Sequence, residues 1–226
     1  MSKKHLVVLT GAGISAESGL KTFRDTDGLW MGYKIEEVAT PRAFKDNPQR
    51  VMDFYNLRRK EIIQAKPNDA HYGLASLESK YRVTIITQNI DDLHERAGSR
   101  EVLHLHGEIL KMRSTKNENK LYDIQGDLQW GELASDGAPL RPHIVWFEEP
   151  VPLIDTAARI MSTADIFVLI GTSLQVHPAA GLIDYLPNDI PKYIMDKKIP
   201  PVGHLSSITT IEKAATQGIK ELLAIL

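Results

Sequence analysis

Two histidines one residue apart, His104 and His106, are the side chains best suited to move a proton in this chain. An imidazole exchanges its proton near neutral pH, which suits it to acid–base work. They alternate along the strand-like run 102–106 and so point to one face, where they could instead be two ligands of a metal ion. A metal would need a further His, Asp or Glu, and no familiar ligand spacing such as HExxH occurs. Outside a motif, a histidine of this kind is more often a hydrogen-bonded core residue.

Three other groups of residues have chemical potential. Gly11, Ala12 and Gly13 follow the apolar run His5–Thr10. Without a Cβ, the two glycines let the backbone approach a ligand, and free amides at a helix start would face a pyrophosphate. The third glycine of the full dinucleotide fingerprint is missing at that spacing, so a structural tight turn is the competing reading. Gln88, Asn89, Ile90 and Asp91 stand just past the apolar run 83–87, where ligands bind in open α/β sheets. Their competing reading is an Asn/Asp turn that caps the next helix. In the helical pattern 49–64, Val51, Phe54, Tyr55, Arg58 and Ile62 form one stripe. Tyr55 and Arg58, at i and i+3, can together bind a carboxylate. Alternatively, Arg58 snorkels at the margin of an ordinary core stripe.

Short β-branched runs at 5–10, 83–87 and 165–171, with a weaker one at 193–196, must position these groups. Helical patterns at 49–64, 68–79, 154–164 and 211–225 intervene. Strands alternating with helices predict an α/β fold, a Rossmann-like doubly wound parallel sheet. Residues 28–66, mostly helical, and 111–141, polar and turn-rich, break the alternation and predict a smaller inserted module. The sheet is then assigned to about 1–27, 67–110 and 142–226 of a single catalytic domain. The 226 residues suffice for a sizeable core. No apolar run approaches the roughly 20 residues of a membrane span. The opening MSKKHLVVLT reads as a first strand rather than a signal peptide, giving an expectation of a cytoplasmic protein. A formal net charge of -2, without a basic block, offers no footprint for nucleic acid. The absence of cysteine excludes disulfides, a thiol nucleophile and cysteine-held metal.

GAGISAESGLKTFRDTDGLW, TQNIDDLH and HLHGE, taken together, resemble the sirtuins, NAD-dependent protein deacylases, and in particular their bacterial class III type. The resemblance runs nearly end to end and implies NAD as co-substrate. It implies that Ala12, Ser15, Phe23 and Arg24 line the NAD site, with Phe23 shielding the reacting ribose. Asn89 and Asp91 resemble the residues that hold the nicotinamide amide and ribose. Gly171, Thr172 and Ser173 resemble a segment near the adenosine side, as do Asp196 and Ala215. His106, in the HG pair, takes the place of the general base, and His104 a structural one. The implied reaction begins with attack of an acyl-lysine oxygen on the ribose carbon that bears nicotinamide. Nicotinamide leaves first, and free lysine and acyl-ADP-ribose follow.

Tyr55 and Arg58 resemble the Y-x-x-R pair of sirtuins that act on succinyl and malonyl groups, so desuccinylation and demalonylation are implied, with deacetylation possible. RPHIVWFEEP resembles the strand that pairs with the acyl-lysine peptide substrate, with Val145 and Phe147 lining the tunnel. Lys21 replaces the family's common proline, Asp92 a small residue and Glu148 a glycine. Most sirtuins hold a zinc with four cysteines in the region of 111–141. None is present here, so no zinc is expected and packing must hold the module, through Leu121, Ile124, Leu128, Trp130 and Leu133. Two rival functions share the NAD site: a sirtuin-like protein ADP-ribosyltransferase and a noncatalytic NAD-sensing module.

Overall fold

The computed structural model of the chain describes residues 3–22, 29, 30, 32–203 and 205–226. Its strands are β1 (His5–Thr10), β2 (Leu29–Trp30), β3 (Tyr33–Lys34), β4 (Arg82–Thr87), β5 (Val102–His104), β6 (Gly107–Ser114), β7 (Leu121–Asp123), β8 (Leu140–Ile144), β9 (Ile166–Ile170), β10 (Lys192–Met195) and β11 (Ile208–Ile211). Its α-helices are α1 (Ile35–Val38), α2 (Pro41–Asp46), α3 (Pro48–Gln64), α4 (Asp69–Ser76), α5 (Leu93–Arg96), α6 (Ile154–Met161) and α7 (Ala215–Ile225). No helix among the described residues is long and apolar enough to cross a membrane.

The β-branched runs build one sheet in the order β11-β10-β9-β1-β4-β5. All its pairings are parallel. Parallel strands need both faces covered, and β1 supplies apolar residues to both. Leu6 and Val8 join the layer of α4 and α7, through Leu74, Ile219 and Leu222. Val7 and Leu9 join Ala157 and Met161 of α6, with Leu182 and Ile183 from the 3-10 turn Ala179–Tyr185. The chain runs outward from β1 toward β5 and then returns to run outward from β9 toward β11. A crevice therefore opens at the carboxyl ends of β1 and β9, the switch point of a doubly wound sheet.

One expectation is corrected at the C-terminal end. The predicted helix from 211 is replaced by β11 up to Ile211 and a helix that begins at Ala215. Ile208 and Ile211 share a helical spacing of three, so periodicity alone did not separate the two. Parallel pairing with β10 decides in favour of the strand.

The inserted segments form α1 to α3 and an antiparallel sheet in the order β7-β6-β8. Its strands run from Gly107 to Ile144, beyond both ends of the expected insertion at 111–141. Helices α2 and α3 begin at T-P and N-P: Thr40 and Asn47 accept the amides of Ala43 and Arg50, and Pro41 and Pro48 occupy the first turn. Helix α3 buries Val51, Phe54, Tyr55 and Ile62 against Leu93, Ile109, Ile144 and Trp146. A second cluster packs Met52 against Leu128, Ala134 and Leu140, with Ile124 partly buried. The expected packing set is thus only partly right, because Leu121, Trp130 and Leu133 are 42%, 44% and 61% exposed. They lie on a sheet edge and its loops, where nothing covers them fully.

The module is tied to α3 by a cation. Arg59 is fully buried, donating to the Ile109 carbonyl at 2.9 Å, Asn56 Oδ1 at 2.8 Å and the Gly126 carbonyl at 3.1 Å. Asn56 in turn donates to the Leu128 carbonyl at 3.0 Å and accepts its amide at 2.9 Å. Arg59→Met would strand these acceptors and is expected to cost about 3 kcal/mol, since each buried unpaired group costs about 1–3 kcal/mol. Urea unfolding measures the loss, and a change below about 1 kcal/mol would refute this role for Arg59.

Candidate active site

Backbone contact at the switch point shapes the cleft. Gly11 N–H donates to the Ile170 carbonyl at 3.0 Å, and Gly13 N–H to the Gly171 carbonyl at 2.8 Å. A Cβ on Gly13 would lie 2.6 Å from Gly171 Cα. The glycines therefore let one loop settle on the other. Of the loop amides expected to be free, those of Gly11, Gly13, Ile14 and Ser15 are engaged, the last two by the Gly11 and Ala12 carbonyls. The residues after Gly11 form two 3-10 turns, Ala12–Ile14 and Ala16–Ser18, instead of opening an α-helix.

A cleft of about 320 Å³ opens beside this contact. It brings together Gly11, Ala12, Gly13, Ser15, Gln88, Asn89, Ile90, Asp91, His106, Gly171, Thr172, Ser173, Asp196 and Ala215. Tyr55, Arg58, Val145 and Phe147 line the same cleft. The candidates Phe23 and Arg24 lie outside the described residues. Trp146, Val176, His177, Lys197 and Lys213 also line it, and nothing in the sequence pattern marked them.

The segment after β4 is fixed from below. The Asn89 amide N–H donates to Thr87 Oγ1 at 3.1 Å, and Thr10 Oγ1 donates to the same oxygen at 2.8 Å. His94 Nε2 faces Thr10 Oγ1 at 3.1 Å. Because the Thr10 hydroxyl donates its proton to Thr87, His94 must donate from Nε2, and its buried Nδ1, without a partner among the described residues, is the bare nitrogen of a neutral ring. Burial, reinforced by His71 and His104, holds the His94 pKa well below the ordinary value. Asn89 Nδ2 donates to the Gly11 carbonyl at 3.1 Å and to Ser15 Oγ at 3.2 Å. Ser15 passes its own proton to Asp91 Oδ2 at 3.0 Å, and Asp91 Oδ1 accepts the Leu93 amide at 3.2 Å. Burial raises the Asp91 pKa, while the Leu93 and Ser15 donors and the charges of His104 and Arg58 restrain the rise.

The two paired histidines divide their work. His104 Nδ1 faces the Asn89 carbonyl at 3.0 Å and Nε2 faces Glu95 Oε1 at 2.8 Å. Both partners are acceptors, so both nitrogens donate and the ring is an imidazolium. Burial opposes that charge, but Glu95 outweighs it and the pKa is raised. His106, in the turn after β5, faces the Gln88 carbonyl through Nδ1 at 2.9 Å. Nδ1 must carry a proton, which leaves Nε2 as the basic nitrogen of a ring lining the cleft. Burial lowers the His106 pKa, and Gln88 offsets part of the fall. Gly107, at φ 82°, makes this turn, and a Cβ there would meet the His143 carbonyl oxygen at 2.1 Å. Among the described residues no group of three His, Asp or Glu side chains is arranged to hold a metal.

At the other end, Tyr55 is fully buried, and its hydroxyl has no hydrogen-bond partner among the described residues. Burial raises its pKa, so the phenol stays protonated. Arg58 Nη1 meets Glu61 Oε2 at 3.2 Å and Nη2 donates to the Lys21 carbonyl at 3.4 Å. The segment expected to be a strand stops at Ile144, and the residues after it form a loop and turn. Its Val145 and Phe147 amides donate to the carbonyls of His106 and Ala39, at 2.9 and 3.0 Å.

The sequence profile of the Sir2 family matches residues 11–178. An NAD-dependent protein deacylase of Helicobacter pylori is 51% identical over 220 residues, covering 97% of this chain and 96% of the relative. One from Bacteroides thetaiotaomicron is 50% identical over 230 residues, covering 99% and 98%. The crystal structure of a Sir2 homologue in complex with NAD superposes with a TM-score of 0.88 at 38% identity, covering 99% of this chain and 89% of the other.

Glu148, on the rim of the cleft, has φ 72°, the left-handed region that favours glycine. A side chain held there costs about 1 kcal/mol or more. Glu148→Gly is expected to stabilise the protein by about 1 kcal/mol, raising Tm by about 3 °C for a chain of this size. A melting temperature that stays level or falls would refute the strain at this residue.

Proposed function

The chain belongs to the Sir2 family, and from that premise we propose that it is an NAD-dependent protein-lysine deacylase that prefers acyl groups ending in a carboxylate, such as succinyl and malonyl. One observation carries the reading. A histidine with a free basic nitrogen, the Asn89–Asp91 network and the Tyr55–Arg58 pair all face one cleft. The Tyr55 hydroxyl, buried in its wall with no acceptor for its proton among the described residues, supports the acidic preference. Such a group costs about 1–3 kcal/mol unless a ligand oxygen accepts its proton. A carboxylate would do so, with the Arg58 guanidinium supplying charge.

The cleft fits NAD at its switch-point end. The close approach of Gly13 to Gly171 seats the loop at the strand ends, and Gly11, Ala12, Thr172, Ser173, Asp196 and Ala215 line the cleft beside it. When bound, NAD supplies a ribose carbon whose nicotinamide leaves as a neutral group. Asn89 has both amide hydrogens engaged, so its Oδ1 is the atom left to accept from a carboxamide. Asp91, with Ser15 and Leu93 on its two oxygens, is positioned to hold a ribose hydroxyl. His106 accepts a proton at Nε2, while Nδ1 keeps its proton on the Gln88 carbonyl and fixes the ring. The lowered pKa keeps this base neutral at physiological pH. The acylated lysine enters between Val145 and Phe147 and carries its acyl end toward Tyr55 and Arg58.

Mass spectrometry of matched succinyl-, malonyl- and acetyl-lysine peptides incubated with the protein and NAD tests the proposal. Succinyl and malonyl removal is expected to exceed acetyl removal, with nicotinamide released in step. Arg58→Met is expected to lower succinyl kcat/KM about tenfold or more, as fits loss of a charge-assisted hydrogen bond of about 1.5–3 kcal/mol, and to spare acetyl. His106→Ala should cost about a hundredfold or more on every acyl group. Equal rates on all three peptides, unaffected by Arg58→Met, would sink the acidic preference. NAD consumed with ADP-ribose left on protein would identify a transferase instead.

The pH dependence has a definite sign. A lowered His106 pKa keeps the base deprotonated further into acid, so the acidic limb of kcat/KM should have its midpoint below about 6.5. A midpoint above that value would remove His106 from the role.

A further inference from the structure

Trp146 forms part of the cleft wall between Val145 and Phe147, only 3% exposed. It is held on several sides. The Arg141 guanidinium carbon lies 3.3 Å from the centroid of its ring, and Phe44 packs at 5.0 Å between centroids. Arg141 is itself fixed by a bidentate pair with Glu149, at 2.7 and 3.1 Å. Glu149 Oε2 also accepts the backbone amide of Trp146 at 2.8 Å. Indole, guanidinium and carboxylate thus form one clamp, with Arg113 Nη2 a further 3.8 Å from Glu149.

The ring beside this clamp is Tyr55, with centroids 6.5 Å apart and planes inclined by 31°. Both polar atoms of the pair, Trp146 Nε1 and the Tyr55 hydroxyl, are buried without a well-formed hydrogen bond among the described residues, and the Trp146 side chain is close enough to the phenol to offset part of the rise that burial imposes on its pKa. An indole N–H can only donate, whereas a phenol oxygen can accept and donate at once. A phenol proton prefers the plane of its ring and so has two positions. A donor on one side of the oxygen leaves only the other.

We propose that Trp146 is a positioning residue for acyl recognition: held by the Arg141–Glu149 clamp, its N–H engages the Tyr55 oxygen and turns the Tyr55 proton toward the acyl carboxylate. The inference rests on the acidic-acyl reading and adds a residue outside the Tyr55–Arg58 pair. It predicts that Trp146 acts only through Tyr55, and only on substrates whose acyl end accepts that proton.

A double-mutant cycle of Trp146→Phe and Tyr55→Phe tests it, with kcat and KM for succinyl- and acetyl-lysine peptides and a thermal melt for each protein. Phenylalanine keeps a ring for Arg141 to stack on and removes the donor with part of the indole, a packing loss that the melts and the acetyl peptide register. Trp146→Phe is expected to lower succinyl kcat/KM about fivefold, mainly through KM, with acetyl kcat/KM within about twofold, a loss in keeping with one neutral hydrogen bond. In the Tyr55→Phe background the same change should have no further effect, because the two act as one unit. Glu149→Gln, which keeps the side-chain shape and weakens the clamp, should lower the succinyl-to-acetyl ratio in the same direction. An unchanged ratio in Trp146→Phe, or losses that add in the double variant, would overturn the role of Trp146 and leave the acidic-acyl reading in place. A wild-type protein without preference for succinyl would overturn both.

Discussion

The contact between the loop after β1 and the end of β9 is the constraint from which the cleft follows. Three of its residues are glycines, and Gly171 at φ 64° presents its backbone directly to Gly13. The two connections leave the sheet in opposite directions there, so a crevice must open, and its width is set by how closely the loops approach. The contact engages the Gly11 and Gly13 amides, and the loop's own carbonyls engage those of Ile14 and Ser15. Side chains at the strand ends, Gln88, Asn89, Thr172, Ser173 and Asp196, line the crevice beside it.

Those side chains would be of little use if they moved, and the layer beneath them holds them still. Asn89 is held through its amide, its carbonyl and its side chain, by Thr87, His104, Gly11 and Ser15. Among the described residues Asp91 has no close ion pair of its own: its charge is favoured by His104 and Arg58, each of which has its own carboxylate in Glu95 and Glu61. Such a network is laid down on folding, so a ligand meets oriented dipoles and little reorganisation is left for the chemical step. His94 and His71 remain neutral inside it. Burial pushes His71 down to about 4.

Residues adjacent in sequence or regular in spacing were legible before the structure. The β-branched runs gave the central strands, and the stripe from Val51 to Ile62 gave a helix with Tyr55 and Arg58 buried on it. The three motifs place most of the candidate site on one cleft because each sits at a strand end or the turn that follows it. What remained hidden depends on partners distant in sequence. The Arg59 tie spans α3, β6 and the 126 loop, and the clamp on Trp146 joins residues whose types alone suggest only a charged turn. The edge strand β11 was hidden for another reason: in its four residues the two apolar positions lie three apart, which fits a helical face and not the strand period of two.

The clamp also bears on how a module without cysteines supports a specific pocket. Arg113 lies on β6 and Arg141 on β8, whereas Glu149 follows the segment that lines the cleft, so the ion pairs join the antiparallel sheet to the cleft wall. Burying such a group is costly, and breaking it costs more than forming it gains, because a lone buried charge would remain. Burial works against the Glu149 charge, yet its Arg141 bonds and the Trp146 amide hold its pKa below the ordinary range. The contribution is therefore present above the unfolded carboxylate pKa and is lost only as pH falls through the lower folded value. Across neutral pH the wall is locked. The same carboxylate thus joins the antiparallel sheet to the cleft wall that carries Trp146, so the shape of that wall depends on side-chain electrostatics as well as on packing.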